Sequence, residues 1–228
     1  MKSYYNHRFI DGSPVPYTLS KIVCVGLNYR LHIQEMKSET PIDPVLFIKS
    51  SMCAVPMSPQ IAIPTHHGAV HYEAEVALLI GAPLKNATPE DCLDAVIGVG
   101  LGLDLTLREV QSRLKEKGLP WEISKGFDGS CPLSPFLPIE EIDDINDLAF
   151  YLTKNGMLVQ QGNTGDMITL IPKLLSFMSQ YFTLLPGDVI MTGTPAGVGP
   201  LMPEDHLVLS LNNQLEESTR VIAEHEAS

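Results

Sequence analysis

Residues 70–80, Val-His-Tyr-Glu-Ala-Glu-Val-Ala-Leu-Leu-Ile, read as the longest strand candidate in the chain, and two carboxylates sit inside it. With Gly102-Leu103-Asp104-Leu105-Thr106 it offers three carboxylates in apolar surroundings. Side chains alternate across an extended strand, so His71, Glu73 and Glu75 are expected to point one way and Val70, Tyr72, Ala74 and Val76 the other. Two carboxylates on one face repel each other. A hard divalent cation, Mg2+ or Mn2+, removes that repulsion, takes oxygen ligands and keeps positions for water or substrate. Asp104 would complete such a set, because it lies in VIGVGLGLDLT, where an unpaired carboxylate costs several kcal/mol. The same spacing fits a plainer arrangement. Glu73 and Glu75 could line the solvated face of a half-exposed strand, with Asp104 hydrogen-bonded near a helix start, and the motif by itself does not choose.

The charge balance narrows the partners. A formal net charge of −12 over 228 residues argues against nucleic acid and anionic membrane, neither of which an acidic surface attracts. No apolar run approaches the roughly 18 residues of a spanning helix, and the polar start MKSYYNHRFIDG carries no signal-peptide core, so a cytoplasmic protein is expected. Cys24, Cys53, Cys92 and Cys131 stand at wide, irregular intervals with no C-x-x-C pair. Buried thiols are expected, two disulfides being the alternative.

Local signals alternate between strand and helix. KIVCV (21–25) and VLFIK (45–49) read as buried strands, with a short helix possible in NYRLHIQEM between them. Residues 50–68, with Pro56, Pro59, Pro64, Gly68 and the pair His66-His67, read as a long loop around a short IAI strand. Thr88-Pro89-Glu90-Asp91 is a helix start. Thr106-Leu107-Arg108-Glu109 has the capping-box pattern, and its helix should run to Lys117 and stop at Gly118. Asn155-Gly156 marks a hairpin in 148–161. A helix is expected over 166–181, followed by a turn at Pro186-Gly187, a strand at 188–192 and a glycine-rich loop, and two strands around Asn212-Asn213 close the chain. No linker divides these elements. One mixed α/β domain over 21–222 is expected, after an N-terminal arm of 1–20 and before a tail of 223–228.

Three further groups bear on chemistry. His32 and Glu35, three apart, share a face if helical; they suit a general-base dyad or an ordinary surface pair. Lys125 stands among small and apolar residues in PWEISKGFDGSCP, either as a counter-charge to the carboxylates or a substrate anion, or as a snorkelling lysine. Gly193-Thr194-Pro195-Ala196-Gly197-Val198-Gly199 lacks the lysine and Ser/Thr ending of a phosphate loop, which rules out the nucleotide reading. It can still offer backbone N–H groups and the Thr194 hydroxyl to a carboxylate.

Taken in order, KIVCVGLNYRLHIQEM, PVLFIK, VHYEAEVALLIG, GLDLTLREVQ, GLPWEISKGFDGSCP, QQGNTGDMI and GDVIMTGTPAGVGP resemble the fumarylacetoacetate hydrolase family, in its small single-domain, acylpyruvate hydrolase type. The resemblance covers roughly residues 20–222. It implies a mixed β-sandwich roll with flanking helices, a homodimer, and Mg2+ or Mn2+ held by Glu73, Glu75 and Asp104. It further implies Lys125 at the substrate or its developing anion, Gln111 and Thr194 on the substrate side, and His32 with Glu35 as a dyad on a lid. The main activity expected from it is hydrolysis of a carbon–carbon bond in a 3-acylpyruvate, with His32 activating water. Decarboxylation of oxaloacetate, or tautomerisation or isomerisation of 2-oxo acids, stands as the alternative on the same site, and a non-catalytic 2-oxo acid binder as a remote one.

Overall fold

The expected long strand of residues 70–80 is two strands, Val70–Tyr72 and Ala74–Ile80, with Glu73 at the break. In this computed structural model, which describes residues 5–224, the segment serves two sheets. Val70–Tyr72 pairs with Thr106–Leu107 and Gly199–Pro200 in a three-stranded sheet. Ala74–Ile80 lies in an eight-stranded sheet between Val189–Met191 and Val96–Leu103. Lys21–Gly26 continues this sheet, parallel to Val189–Met191, and Val45–Ser50 forms its edge. A five-stranded sheet of Ala149–Lys154, Met157–Asn163, His206–Leu211, Leu215–Ala223 and Gln60–Ile63 completes the mixed α/β architecture.

Ala74–Ile80 is apolar throughout because both its faces are covered. Ala74, Val76, Leu78 and Ile80 belong to the larger core, with Leu174, Leu207 and Leu209, while Ala77 and Leu79 belong to a second core with Cys24, Phe136 and Met191. Each fully buried leucine or isoleucine here contributes about 1.5–3 kcal/mol. Glu75 shares the face of Ala77 and Leu79, so it enters an interior, not solvent, and the solvated-face alternative is gone. The neighbouring strand owes its glycines to close packing: a Cβ on Gly100 would stand 2.9 Å from Ser134 Oγ and 3.0 Å from Pro135 O. The chain at 131–138 therefore crosses directly over Val96–Leu103, fixing where that strand ends and where Asp104 begins.

Other expectations meet mixed outcomes. Asn155 and Gly156 take φ of 53° and 78°, and Asn212 and Asn213 take 48° and 56°, so both hairpins turn where expected. The four cysteines are buried and free. The helix Arg108–Glu116 ends as expected before Gly118 (φ +62°), but the capping box does not form: Leu107 is the N-cap and Thr106 points its hydroxyl elsewhere. The later helix begins at Ile171, not at residue 166. Asn28 is the reason, since its main-chain and side-chain oxygens accept the N–H groups of Ile168 and Thr169 at 2.8 and 2.9 Å and hold that stretch extended. Among the described residues no helix is long and apolar enough to cross a membrane. Of the expected arm, residues 1–4 lie outside the described residues, as do 225–228 of the expected tail.

Asp205 braces the first hairpin. It accepts from the Asn155 amide at 2.7 Å and from the Met202 N–H at 2.8 Å, and Lys154 Nζ lies 3.5 Å away. Burial pushes its carboxyl up, but the Met202 N–H, the Asn155 amide and Lys154 together hold it below the ordinary value of 3.8. A depressed folded-state value means a stabilisation that is complete above 3.8 and lost as the pH falls through the lower folded value. Asp205→Asn is therefore expected to cost about 1–2 kcal/mol at neutral pH and almost nothing in strong acid. Urea unfolding of both proteins at the two pH values checks this, and a loss that does not change with pH would show the carboxylate charge to be irrelevant.

Candidate active site

The register of two strands assembles the carboxylates. Ala74 pairs with Leu103 and Glu75 with Gly102, so Glu73 and Asp104 emerge side by side where the strands end, tied by an Asp104 N–H to Glu73 C=O bond of 2.8 Å. Oxygens of Glu73, Glu75 and Asp104 lie within 4.8 Å of one another, and all three residues are at least nine-tenths buried. His71, expected on their face, stays out of the cluster: the break at Glu73 stops the alternation, and His71 pairs instead with Thr106 and Pro200.

Three cations approach from different elements. Lys125 Nζ donates to Glu73 Oε2 at 2.8 Å, to Asp104 Oδ2 at 2.5 Å and to Thr106 Oγ1 at 2.7 Å. Thr106 passes its own proton to Asp104 C=O at 3.1 Å, which is why it caps no helix. Arg108 donates to Glu73 Oε1 and, at 2.7 Å, to Gln111 Oε1. Lys49 lies beneath, with no exposed surface, donating to Leu105 and Ser130 carbonyls, to the Ser130 hydroxyl and to Lys125 C=O. Burial would push the Glu73 carboxyl up, yet Lys125, Arg108 and His32 hold it well below the usual range. Glu75 is the opposite case. Burial, Asp104 and Glu73 push it well above, against one N–H from Gly193 at 2.7 Å, and no cation among the described residues forms an ion pair with it.

These residues fit a divalent cation. Asp104 Oδ1 is buried without a hydrogen-bond donor, for Lys49 Nζ stands 2.8 Å away but off a hydrogen-bonding angle. Glu75 has no direct ion-pair partner among the described residues, Lys125 acting on it only from a distance, and every ligand atom is a carboxylate oxygen, the set that hard cations take. Lys125 holds two of those oxygens itself, so an entering ion would have to take them from its ammonium.

The other expected residues gather around the same cavity, which is lined by His32, Glu73, Glu75, Gln111, Lys125 and Thr194. Asp104 lies behind Lys125, and Glu35 behind His32. The short helix Arg30–Glu35 places His32 Nδ1 3.4 Å from Glu35 Oε2. Glu35 in turn accepts the Gly197 N–H at 3.1 and 3.2 Å, which ties this helix to the glycine-rich loop. Burial holds the His32 imidazole below its ordinary value despite Glu73 and Glu35, leaving it neutral at neutral pH. The loop's donors go largely to the protein itself: Gly193 to Glu75, Gly197 to Glu35, and the Thr194 hydroxyl to Ala74 C=O at 2.8 Å. The Gln111 amide nitrogen makes no hydrogen bond among the described residues. Sequence reasoning missed Lys49 and Arg108. A lysine closing the apolar run VLFIK in a chain with carboxylates to neutralise was the available signal for one, and the i, i+3 spacing from Arg108 to Gln111 for the other.

Fold and site together define a mixed α/β protein with a buried carboxylate cluster suited to a divalent cation, beside a neutral imidazole. The chain belongs to the fumarylacetoacetate hydrolase family: residues 21–223 match its "Fumarylacetoacetate (FAA) hydrolase C-terminal" pattern. The oxaloacetate tautomerase YcgM of Escherichia coli (strain K12) is 47% identical over 219 residues, 96% of this chain and 100% of that protein. A mitochondrial oxaloacetate decarboxylase of Dictyostelium discoideum is 40% identical over 184 residues, 80% and 84% of the two chains. Among solved structures, a fumarylacetoacetate hydrolase family protein from Yersinia pestis CO92 superposes with a TM-score of 0.94 at 47% identity, covering 96% and 100%. Fumarylpyruvate hydrolase from Pseudomonas aeruginosa, in complex with Mn2+ and pyruvate, gives 0.91 at 31% identity, covering 98% of each. The expected main activity, hydrolysis of a 3-acylpyruvate, is thereby overturned. Relatives at 40–47% identity are named for oxaloacetate chemistry, while the hydrolase stands at 31%. The two activities share their groups, since an imidazole backed by a carboxylate can serve as base toward a carbon acid or toward water.

The buried pairing makes a stability prediction. Lys49→Met leaves Asp104 with Lys125 as its one remaining ion-pair partner among the described residues and is expected to cost about 3–5 kcal/mol in the presence of chelator. Adding Asp104→Asn should recover part of that loss. Denaturant titration of the two singles and the double measures the coupling; strictly additive losses would mean that the two residues do not depend on each other.

Proposed function

We propose that the protein interconverts the keto and enol forms of oxaloacetate in the cavity of Glu73, Glu75 and Asp104. The observation that carries this reading is the imidazole of His32, backed by Glu35 at 3.4 Å, lining the same small cavity as Glu73 and Glu75 of the carboxylate cluster. Full-length similarity to a tautomerase of this substrate supports it, as does a Mn2+ and pyruvate complex in a structural relative.

Glu73, Glu75 and Asp104 would hold Mg2+ or Mn2+, which when bound supplies Lewis acidity that draws electron density from a 2-oxo group. The Gln111 amide and Arg108 orient the acid's carboxylate, and Lys125 balances negative charge developing on the 2-oxo oxygen. His32 accepts the proton from C3 while the C–H electron pair forms the C2–C3 double bond. Glu35 stabilises the resulting imidazolium, which returns the proton to the 2-oxo oxygen, so nothing is gained or lost overall. The Glu35 to Gly197 contact holds helix and loop together over the site and limits entry of bulk water.

Similarity to the Dictyostelium enzyme favours decarboxylation as a second reading. There the C3–C4 bond breaks, its electrons form the same double bond, carbon dioxide leaves, and later protonation at C3 gives pyruvate.

Enol oxaloacetate absorbs in the ultraviolet, and its decay with metal-loaded protein, alongside a coupled assay for pyruvate, separates the two. Decay without pyruvate supports tautomerisation, release of pyruvate at a matching rate supports decarboxylation, and neither would sink both. His32→Ala is expected to slow decay about 10²–10⁴-fold while leaving Mn2+ binding, read by electron paramagnetic resonance, intact. Glu75→Ala or excess chelator should remove both. The acid limb of kcat/KM should lie below 6.5, because His32 must be unprotonated, and Glu35→Gln should move it lower still by removing a charge that favours the imidazolium.

A further inference from the structure

Beside the inner cavity lies a second, larger space. The inner cavity has a volume of about 30 Å³ and the outer space about 420 Å³. Phe47, Trp121 and Lys125 line both, so the two spaces share a wall. On the inner side the wall faces Arg108, Gln111 and Lys115, groups that suit a carboxylate. The outer space is an open groove, where the wall faces Leu46 and Ile48 of the edge strand together with Leu119 and Pro120, groups that suit hydrocarbon, with Glu122 beside them.

We propose that Trp121 is the specificity-determining wall of this site: it confines the inner cavity to short 2-oxo acids and closes off an apolar subsite that would accept the alkyl or aryl tail of a longer one. The assignment rests on the reading of the inner cavity as a 2-oxo acid site. The indole is held from several sides. Its centroid stands 6.1 Å from that of Phe47, with the rings inclined at 59°. The Lys115 ammonium lies 5.9 Å from the ring. Gly26 lies against it, a Cβ there standing in ordinary van der Waals contact with the ring edge at 3.7 Å. Its main chain is fixed as well: the Trp121 carbonyl accepts the N–H groups of Ser124 and Lys125 at 2.8 and 3.0 Å and the Ser124 hydroxyl at 2.6 Å. The wall is thus hydrogen-bonded to the same short helix, Glu122–Lys125, that carries the cavity's lysine.

Oxamate and N-phenyloxamate test this, because they share a 2-oxo acid head and differ by one aryl group. Calorimetric titration of the Mn2+-loaded protein should show oxamate binding about tenfold or more tightly than N-phenyloxamate in the wild type. In Trp121→Ala the ratio of the two affinities should shift by about tenfold or more toward the aryl ligand, and in Trp121→Phe it should shift less. Phe47→Leu trims the wall from the strand side and should move the ratio in the same direction, which keeps the test open if Trp121→Ala does not fold. A ratio unchanged in the folded variants, or a wild type that binds both ligands equally, overturns the assignment. Failure of oxamate itself to bind the loaded wild type would overturn the 2-oxo acid reading, and the wall with it.

Discussion

Burying three carboxylates within 4.8 Å of one another is the constraint on which the rest of this structure depends. Each would cost several kcal/mol without compensation, more than a typical hydrogen bond returns. The compensation is drawn from across the chain. Lys49 comes from the sheet edge, Lys125 from a short helix, Arg108 from the start of another, and Gly193 donates its N–H from the glycine-rich loop. Segments far apart in sequence are therefore pinned to one point.

The two lysines on Asp104 are not equivalent. Lys49 is surrounded by carbonyl and hydroxyl oxygens and has no access to solvent or to the cavity, so it acts as a fixed internal counter-charge. Lys125 lines the cavity and bridges Glu73 and Asp104, the oxygens that a divalent cation would take. Removing either partner of such a pair leaves an uncompensated charge in a low-dielectric interior, which costs far more than the intact pair contributes. Of the two lysines on Asp104, Lys49 therefore holds the cluster from within while Lys125 faces the cavity.

Much of this was legible in the sequence, for reasons that can be traced. Glu73, Glu75 and Asp104 stood out because carboxylates inside apolar runs demand partners, and Asn155-Gly156 and Asn212-Asn213 because few residues tolerate a left-handed backbone. What escaped depended on tertiary partners. The break at Glu73 arises because its flanks pair in different sheets, and no local pattern encodes that. Thr106 has the right neighbours for a capping box, yet its hydroxyl serves Lys125 and the Asp104 carbonyl. Lys49 and Arg108 read as a strand end and a helix surface until the carboxylates opposite them are in place.

Reaction type was the least legible feature, and the geometry explains why. A metal-binding carboxylate set, a neutral imidazole backed by a glutamate and a nearby ammonium serve hydrolysis, decarboxylation and tautomerisation alike, since each passes through negative charge on the same 2-oxo oxygen. Such groups identify the charge that must be stabilised but not the bond that supplies the electrons. That choice falls to the walls: how much room lies beyond the reacting carbon, whether a water can stand there, and whether a tail carboxylate or a hydrocarbon is welcome. Here the inner space is small and its neighbours are Arg108, Gln111 and Lys115, while the larger open groove, with Leu46, Ile48, Leu119 and Pro120, lies across an indole. The donors Arg108, Gln111 and Lys115 on the inner wall suit a carboxylate, which is what the proposed oxaloacetate reading asks of it and what the acid–base groups alone could not indicate.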